Sequence, residues 1–360
     1  MKTGKSLSDL AREIERRAEA KQDFIAPAKQ MRAITAQGSP ILELAETARF
    51  PITSHAHGQL ASYLEIPKRY YDRMLTDAPD LLCSSINRWL DEHAAERRMI
   101  RVLDDQVRAV LSDKYRPLEN EDLAQAVLPV LSDLDVMILS ADITDRRFYI
   151  KAVDRRIEQD VPTGRKIGDG THTFFDTISP AITISNSEIG AGALSIETSI
   201  FTKMCTNMAT MGASLRKLHS GSRADVSDEV YELLSDQTRH QSDKAVWMQT
   251  RDLVRAAFDE AKFKAAAKQL GEAAADPIQA DVIEVVQRAR KRFAWTEGEQ
   301  ASVLTHLIKG GDLTRYGLHA AVTRSAEDLA DYDRATEFEK LGGQIIELKP
   351  NEWRELAAAA

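Results

Sequence analysis

The run Arg146-Arg-Phe-Tyr-Ile-Lys-Ala-Val-Asp-Arg-Arg156 brings cations and rings together at the spacing of a strand. Successive strand side chains point to opposite faces, so Arg147, Tyr149 and Lys151 share one face while Phe148, Ile150 and Ala152 share the other. Single-stranded nucleic acid requires a face of this kind, with cations for phosphates and a ring on which a base stacks. Arg101, Arg108, Lys114, Tyr115 and Arg116, from a preceding hairpin and the loop after it, would extend the face. A third patch, Lys203, Arg216, Lys217 and His219, lies within Thr198 to Ala224, a segment of 27 residues without a carboxylate. The competing reading is a solvated outer sheet face, because Lys and Arg are mostly exposed in any protein.

Between two alternating apolar runs lies Asn186-Ser-Glu-Ile-Gly-Ala-Gly192. Asn186, Ser187, Gly190 and Gly192 are the candidates for an anion-holding turn, with backbone N–H groups facing a phosphate. No Gly-Lys-Ser/Thr follows as in a nucleotide phosphate loop, and Glu188 would repel an anion. A structural turn that uses Gly for positive φ explains the same residues and is the preferred reading. Elsewhere the chemistry is thin. His55-x-His57 lacks further metal ligands, His172 beside Asp169 and Asp176 is generic, and Glu119, Glu121, Asp122, Asp142 and Asp145 form no spaced set for a two-metal nuclease. No Ser-His-Asp or Cys-His signature is present, so no catalytic residue, metal ligand or cofactor is assigned, and a binding protein is favoured over an enzyme.

A chain of 360 residues with 43% hydrophobic content can bury a substantial core in one large domain or two. Its net charge of −8 argues against coating duplex DNA by bulk electrostatics, although a groove needs only a local excess of Lys and Arg. No apolar run approaches the roughly 18 residues needed to cross a bilayer, and the opening residues lack a signal-peptide pattern, so a cytoplasmic protein with no membrane partner is expected. Cys83 and Cys205 read as two buried, reduced thiols.

Periodicity divides the chain into three regions. Residues 1–95 read as a helical N-terminal region: an amphipathic helix over 6–22 begun by Ser6 and Asp9, an irregular stretch with Gly38, Pro40 and Pro51, then two short helices within Ser54 to Met74. That helix pair fits a helix-turn-helix or, preferably, a plain helical hairpin packed on the next region. Residues 96–225 read as an antiparallel α+β core. It contains a hairpin of Met99–Leu103 and Val107–Leu111 about Asp104-Asp105, and an embedded helix over Glu119–Leu131. Strands follow at Val136–Leu139, Phe148–Val153, Thr173–Phe175, Ile182–Ile184 and Leu194–Ile200. Residues 226–360 read as helical, with helices at Val226–Leu234, Val246–Leu270, Ala280–Phe293, Glu297–Ile308 and Ser325–Leu341. The expected class is α+β, an antiparallel sheet with an embedded helix followed by a mainly helical C-terminal half.

The chain resembles the phage- and plasmid-borne proteins of the domain of unknown function 932 family. The matching blocks, in order, are Tyr63–Tyr71, Ile86–Leu90, Arg108–Arg116, Ile184–Ala193, Cys205–Asn207, Leu218–Gly221 and Tyr316–Thr323, spanning about residues 55–325. Met208 departs from the pattern, which usually continues with Gly after Asn207, and Met does not tolerate positive φ as Gly does. The resemblance implies a mobile-element gene but no reaction. Together these readings predict a protein that binds nucleic acid, most plausibly single-stranded DNA in annealing or recombination, and is compatible with a homo-oligomer. Two alternatives stand beside it: a factor that blocks or recruits a host protein, and a metal-dependent nuclease or nucleotide hydrolase.

Overall fold

The computed structural model describes residues 1–167, 172–203, 206–217 and 236–358, with the backbone alone at 167, 207, 212–217 and 236–243. Its sheets are antiparallel in the N-terminal half and its C-terminal half is mainly helical, as expected for the α+β class. The Asp104-Asp105 turn shows how locally this is encoded. Both residues take positive φ (50° and 56°), as a two-residue hairpin turn requires, and join β5 (Arg97–Leu103) to β6 (Gln106–Ser112).

The N-terminal region is less helical than its sequence suggests. After α1 (Leu7–Ala20), β1 (Gln22–Pro27) joins the edge of β5, and β2 (Met31–Ala36), β3 (Ser39–Leu44) and β4 (Ala48–Pro51) form a separate three-stranded sheet. Residues 22–51 are therefore a correction to the irregular reading. Met31 and Ala33 alternate inward on β2, as do Leu42 and Leu44 on β3, with a turn at Gln37 (φ 50°) and Gly38 (φ 79°) between the strands. The strands are too short, and too interrupted by proline, for the alternation to stand out. α2 (Ser54–Tyr63), α3 (Lys68–Asp77) and α4 (Pro79–Glu92) bury Leu60, Tyr71, Met74 and Ile86 in one core with the β2–β6 side chains. α2 packs on β6 and α3 on α4.

α5 (Asn120–Asp133) precedes a six-stranded sheet of β7 (Met137–Ile143), β8 (Phe148–Val153), β9 (Gln159–Ile167), β10 (His172–Asn186), β11 (Leu194–Thr202) and β12 (Asn207–Lys217). The order is β12-β11-β10-β8-β7, with β9 paired to the first half of β10. β10 merges two strands expected separately, and β9 and β12 were not foreseen. Met208 is a buried strand residue opposite Phe201, and positive φ falls instead on Thr206 (52°), so the position after Asn207 needs no left-handed backbone.

Register assigns the faces of this sheet. One face carries the rows Ser140–Lys151–Thr183–Glu197 and Asp142–Tyr149–Ser185–Ser195, and the other carries Ala141–Ile150–Ile184–Ile196. The apolar face packs against α1, α5 and α6 (Asp236–Ala257) through Leu10, Ile14, Leu123, Val127 and Val254. The remaining helices are α7 (Glu260–Ala273), α8 (Val282–Phe293), α9 (Glu297–Gly310), α10 (Arg315–Ser325), α11 (Tyr332–Glu347) and α12 (Pro350–Ala357). Side chains of Asp259, Asp281, Thr296, Thr314 and Asp331 cap the starts of α7 to α11. The Asp259 cap separates α6 from α7, where one long helix was expected. The expected helix over Val226–Leu234 lies outside the described residues. Among those residues no helix is long and apolar enough to cross a membrane.

α11 meets the sheet closely enough that a methyl group added at Gly343 would overlap the Thr210 carbonyl of β12. Backbone cannot step aside as a flexible side chain does. Gly343→Ala is expected to destabilise the protein by roughly 1–3 kcal/mol, the cost of overpacking a filled interior, read as a lowered urea midpoint.

Candidate functional site

Alternation places Tyr149 and Lys151 together on the polar face of the sheet, but that face is closed. Lys151 is 0% exposed, its Nζ donates to Glu339 Oε2 of α11 at 2.6 Å, and its ammonium lies 4.7 Å from the Tyr332 ring centroid. Tyr149 is 3% exposed, with its ring 5.3 Å from that of Tyr332 and the Asp333 carboxyl near its hydroxyl. Burial pushes the Lys151 ammonium below its ordinary pKa despite Glu339, and pushes the Tyr149 hydroxyl above its own. Lys340 reaches back from the helix to Glu197 at 2.8 Å. The open nucleic-acid face expected here is thus corrected: an acid-bearing helix covers it. Lys203 is exposed but paired with Glu158 at 2.9 Å. Arg216 and Lys217 stand opposite Ser195 and Leu194 in the register, while their side chains and all of His219 lie outside the described residues.

The 186–192 turn is a knot of carbonyls and one carboxylate held by cations, the reverse of an anion cradle. Arg101, fully buried, donates to the Glu188 carbonyl at 2.8 Å, to Asp23 at 2.9 Å and to Glu119 at 2.7 Å. Arg147 donates through Nη2 to the Ala191 carbonyl at 2.7 Å, and its guanidinium occupies the space a side chain at Gly192 would need. His55 Nε2 and Gln59 Nε2 donate to the Ile189 carbonyl at 3.0 and 2.8 Å, and Tyr115, itself buried, donates to the Ser187 carbonyl at 3.4 Å. Ser187 Oγ accepts from the Ala191 amide at 3.0 Å, Asn186 Nδ2 donates to Leu118 O and Asn120 Oδ1, and Gly190 supplies φ of +73°. Lys114 is exposed and Arg116 partly so, in the loop after β6 and away from the closed sheet face.

Glu188 is 7% exposed and accepts from Arg108 Nη1 and the Asn120 amide, each at 2.8 Å. Burial alone would raise its pKa, but the Arg108 charge and that amide outweigh burial and hold it at about 2. Glu119 moves up, because burial and the neighbouring Glu188 outweigh Arg101. The structure therefore uses as a counter-ion the acid that seemed to oppose a ligand. Arg108, 7% exposed, keeps Nε and Nη2 without a hydrogen-bond partner, and such unmet donors typically cost about 1–3 kcal/mol each.

Among the recesses of the described residues, two carry several basic side chains in their walls. One, of about 440 Å³, lies beside the turn and includes Ser54, His55, Arg108 and Arg146 in its wall. The other, of about 400 Å³, lies between the β9–β10 hairpin and the α9–α10 pair. There the Arg165 guanidinium sits 4.8 Å from the Phe174 ring centroid and Lys309, His306 and Arg324 stand on the helical side, while Lys166, which donates to Thr173 Oγ1 across the hairpin at 3.0 Å, is not part of the wall. Asp176 and Asp312 lie deeper, Asp176 accepting from Tyr316 at 2.6 Å. Among the described residues Arg165, Lys166 and Lys309 make no ion pair, and Phe175 is 52% exposed.

Sequence reasoning missed this cleft. Its signal was Arg165 meeting Phe174 across a hairpin, hidden because Pro162 and Gly164 discouraged reading Gln159–Ile167 as a strand. His55 and His57 do not converge on a metal position: His55 bonds the Ile189 carbonyl, while His57 Nδ1 pairs with the Tyr71 hydroxyl at 2.8 Å. No family model, curated protein or solved structure matches the chain.

Proposed function

We propose that the protein binds single-stranded nucleic acid in the cleft between the β9–β10 hairpin and the α9–α10 pair. The carrying observation is the Arg165 guanidinium over the Phe174 ring, with Lys309 in the opposite wall, in a recess of about 400 Å³. Cations without carboxylate partners attract phosphates, and a ring already stacked on a guanidinium offers a planar surface to a base. The volume suits one or two nucleotides and excludes a duplex. Unpaired cations gathered locally reconcile a nucleic-acid ligand with an anionic chain, and the phage and plasmid setting implied by the sequence resemblance fits the same ligand.

Binding of a fluorescent oligothymidylate across a salt series tests the proposal. Each phosphate neutralised contributes a slope of about −0.7 in log affinity against log salt. Phe174→Ala is expected to weaken binding about 5- to 150-fold, the range of one lost base–aromatic stack of about 1–3 kcal/mol. Arg165→Ala with Lys309→Ala should lower the salt slope by about 1.4, two phosphate contacts. No binding at low salt, or variants indistinguishable from the parent, refutes it.

A further inference from the structure

The recess beside the 186–192 turn has features that neither the nucleic-acid cleft nor the closed sheet face uses. It lies where the start of α2 approaches the β5–β6 and β7–β8 turns and has a volume of about 440 Å³. α2 begins there. Thr53 is its N-cap, its side chain accepting from the Ala56 amide at 3.3 Å, while its carbonyl accepts from the His57 amide at 2.9 Å. The amides of Ser54 and His55 take no partner among the described residues, as the first amides of a helix do until a ligand or water meets them. Such a terminus favours anions through its dipole and its free N–H groups, but many helices have one.

Arg108 supplies an independent observation. It forms part of the wall of the same recess, is only 7% exposed, and spends a single nitrogen on Glu188, leaving Nε and Nη2 without partners. Buried polar groups are otherwise almost always satisfied, so two bare donors on one guanidinium point to a missing acceptor. Arg146, exposed on the same wall, makes no ion pair among the described residues. His55 presents a neutral ring oriented by the Ile189 carbonyl. Acids are also present: Asp104 is already held by Arg16 at 2.6 Å, and Asp145 is exposed at the rim.

We propose that this recess is a phosphate-binding site, in which one tetrahedral anion is held by the Arg108 guanidinium, the Ser54 and His55 amides and the Arg146 side chain. An oxyanion is the matching ligand because it offers several acceptor oxygens at once to a guanidinium fork and a helix start. The phosphate comes either from a small anion or from the end of a nucleic-acid strand. The site is separate from the Arg165–Phe174 cleft, so either assignment can fail without the other.

Calorimetric titration of the full chain with inorganic phosphate, and separately with 5′-phosphorylated and 5′-hydroxyl oligonucleotides, tests the assignment. Ser54→Pro is the informative variant. It removes one amide at the first helical position, where proline is well tolerated, and Thr53 before it already has the extended backbone proline demands (φ −69°, ψ 157°). The expected result is at least about tenfold weaker phosphate binding in Ser54→Pro and in Arg146→Ala, with unchanged ligand-free melting temperature, each having lost one charge-assisted contact. Binding of inorganic phosphate identifies a small-anion site, and preference for the 5′-phosphorylated strand alone identifies a strand end. Absence of both, or binding that neither variant weakens, overturns the proposal.

Discussion

Replacing Lys151 by Met is expected to destabilise the protein by about 3–5 kcal/mol, whereas Lys151→Met combined with Glu339→Leu should be neutral or up to about 4 kcal/mol more stable than the parent. Both side chains are 0% exposed and joined at 2.6 Å. Removing either partner strands the other charge away from water, and that desolvation cost is what the single variants report. Removing both exchanges two expensive desolvations for apolar packing between β8 and α11, with Tyr332 already present as an aromatic neighbour. Urea denaturation of the parent, both single variants and the double variant gives the coupling energy directly. A single variant within about 1 kcal/mol of the parent would show that no net charge is buried there, contrary to the pairing described.

The same contact shows how far the sequence reading reaches. Alternation along Phe148–Val153 correctly put Tyr149 and Lys151 on one face, because that depends only on the pleat of a strand. Whether a face is open depends on what is laid over it. The covering residues, Tyr332, Asp333 and Glu339, come from a helix more than 180 positions away, as the separation of 188 between Lys151 and Glu339 records. The usual rule that lysine is exposed then pointed the wrong way. Turns with strong local chemistry, such as Asp104-Asp105, were legible in full, whereas β1 to β4 were not, since short strands broken by Pro40 and Pro51 give too few repeats for a period of two to emerge. At the 186–192 turn the glycines were read correctly as backbone devices. Glu188 was misjudged, because Arg108, its counter-ion, lies 80 residues away on another sheet.

Glu188 supplies the second large effect. Glu188→Gln keeps the shape and one hydrogen-bond acceptor but leaves the buried Arg108 guanidinium without its charge partner, which should cost about 3–5 kcal/mol at neutral pH. The pH dependence has a definite sign. The folded carboxyl is held at about 2, below its ordinary value of 4.5. Its stabilisation is therefore complete above that ordinary value and is lost as pH falls toward the folded value, since the unfolded chain takes up the proton first. Glu119 opposes it: its raised pKa gives a contribution that is largest in acid and declines as pH rises through the folded value. Removing Glu188 should therefore flatten the acid-side loss of stability, and the gap between parent and variant should be widest near neutrality and shrink by about pH 3. Urea midpoints measured at both pH values check this. A gap that stayed constant would mean that Glu188 stabilises the turn through its hydrogen bonds alone and that the Arg108 charge is compensated by other groups.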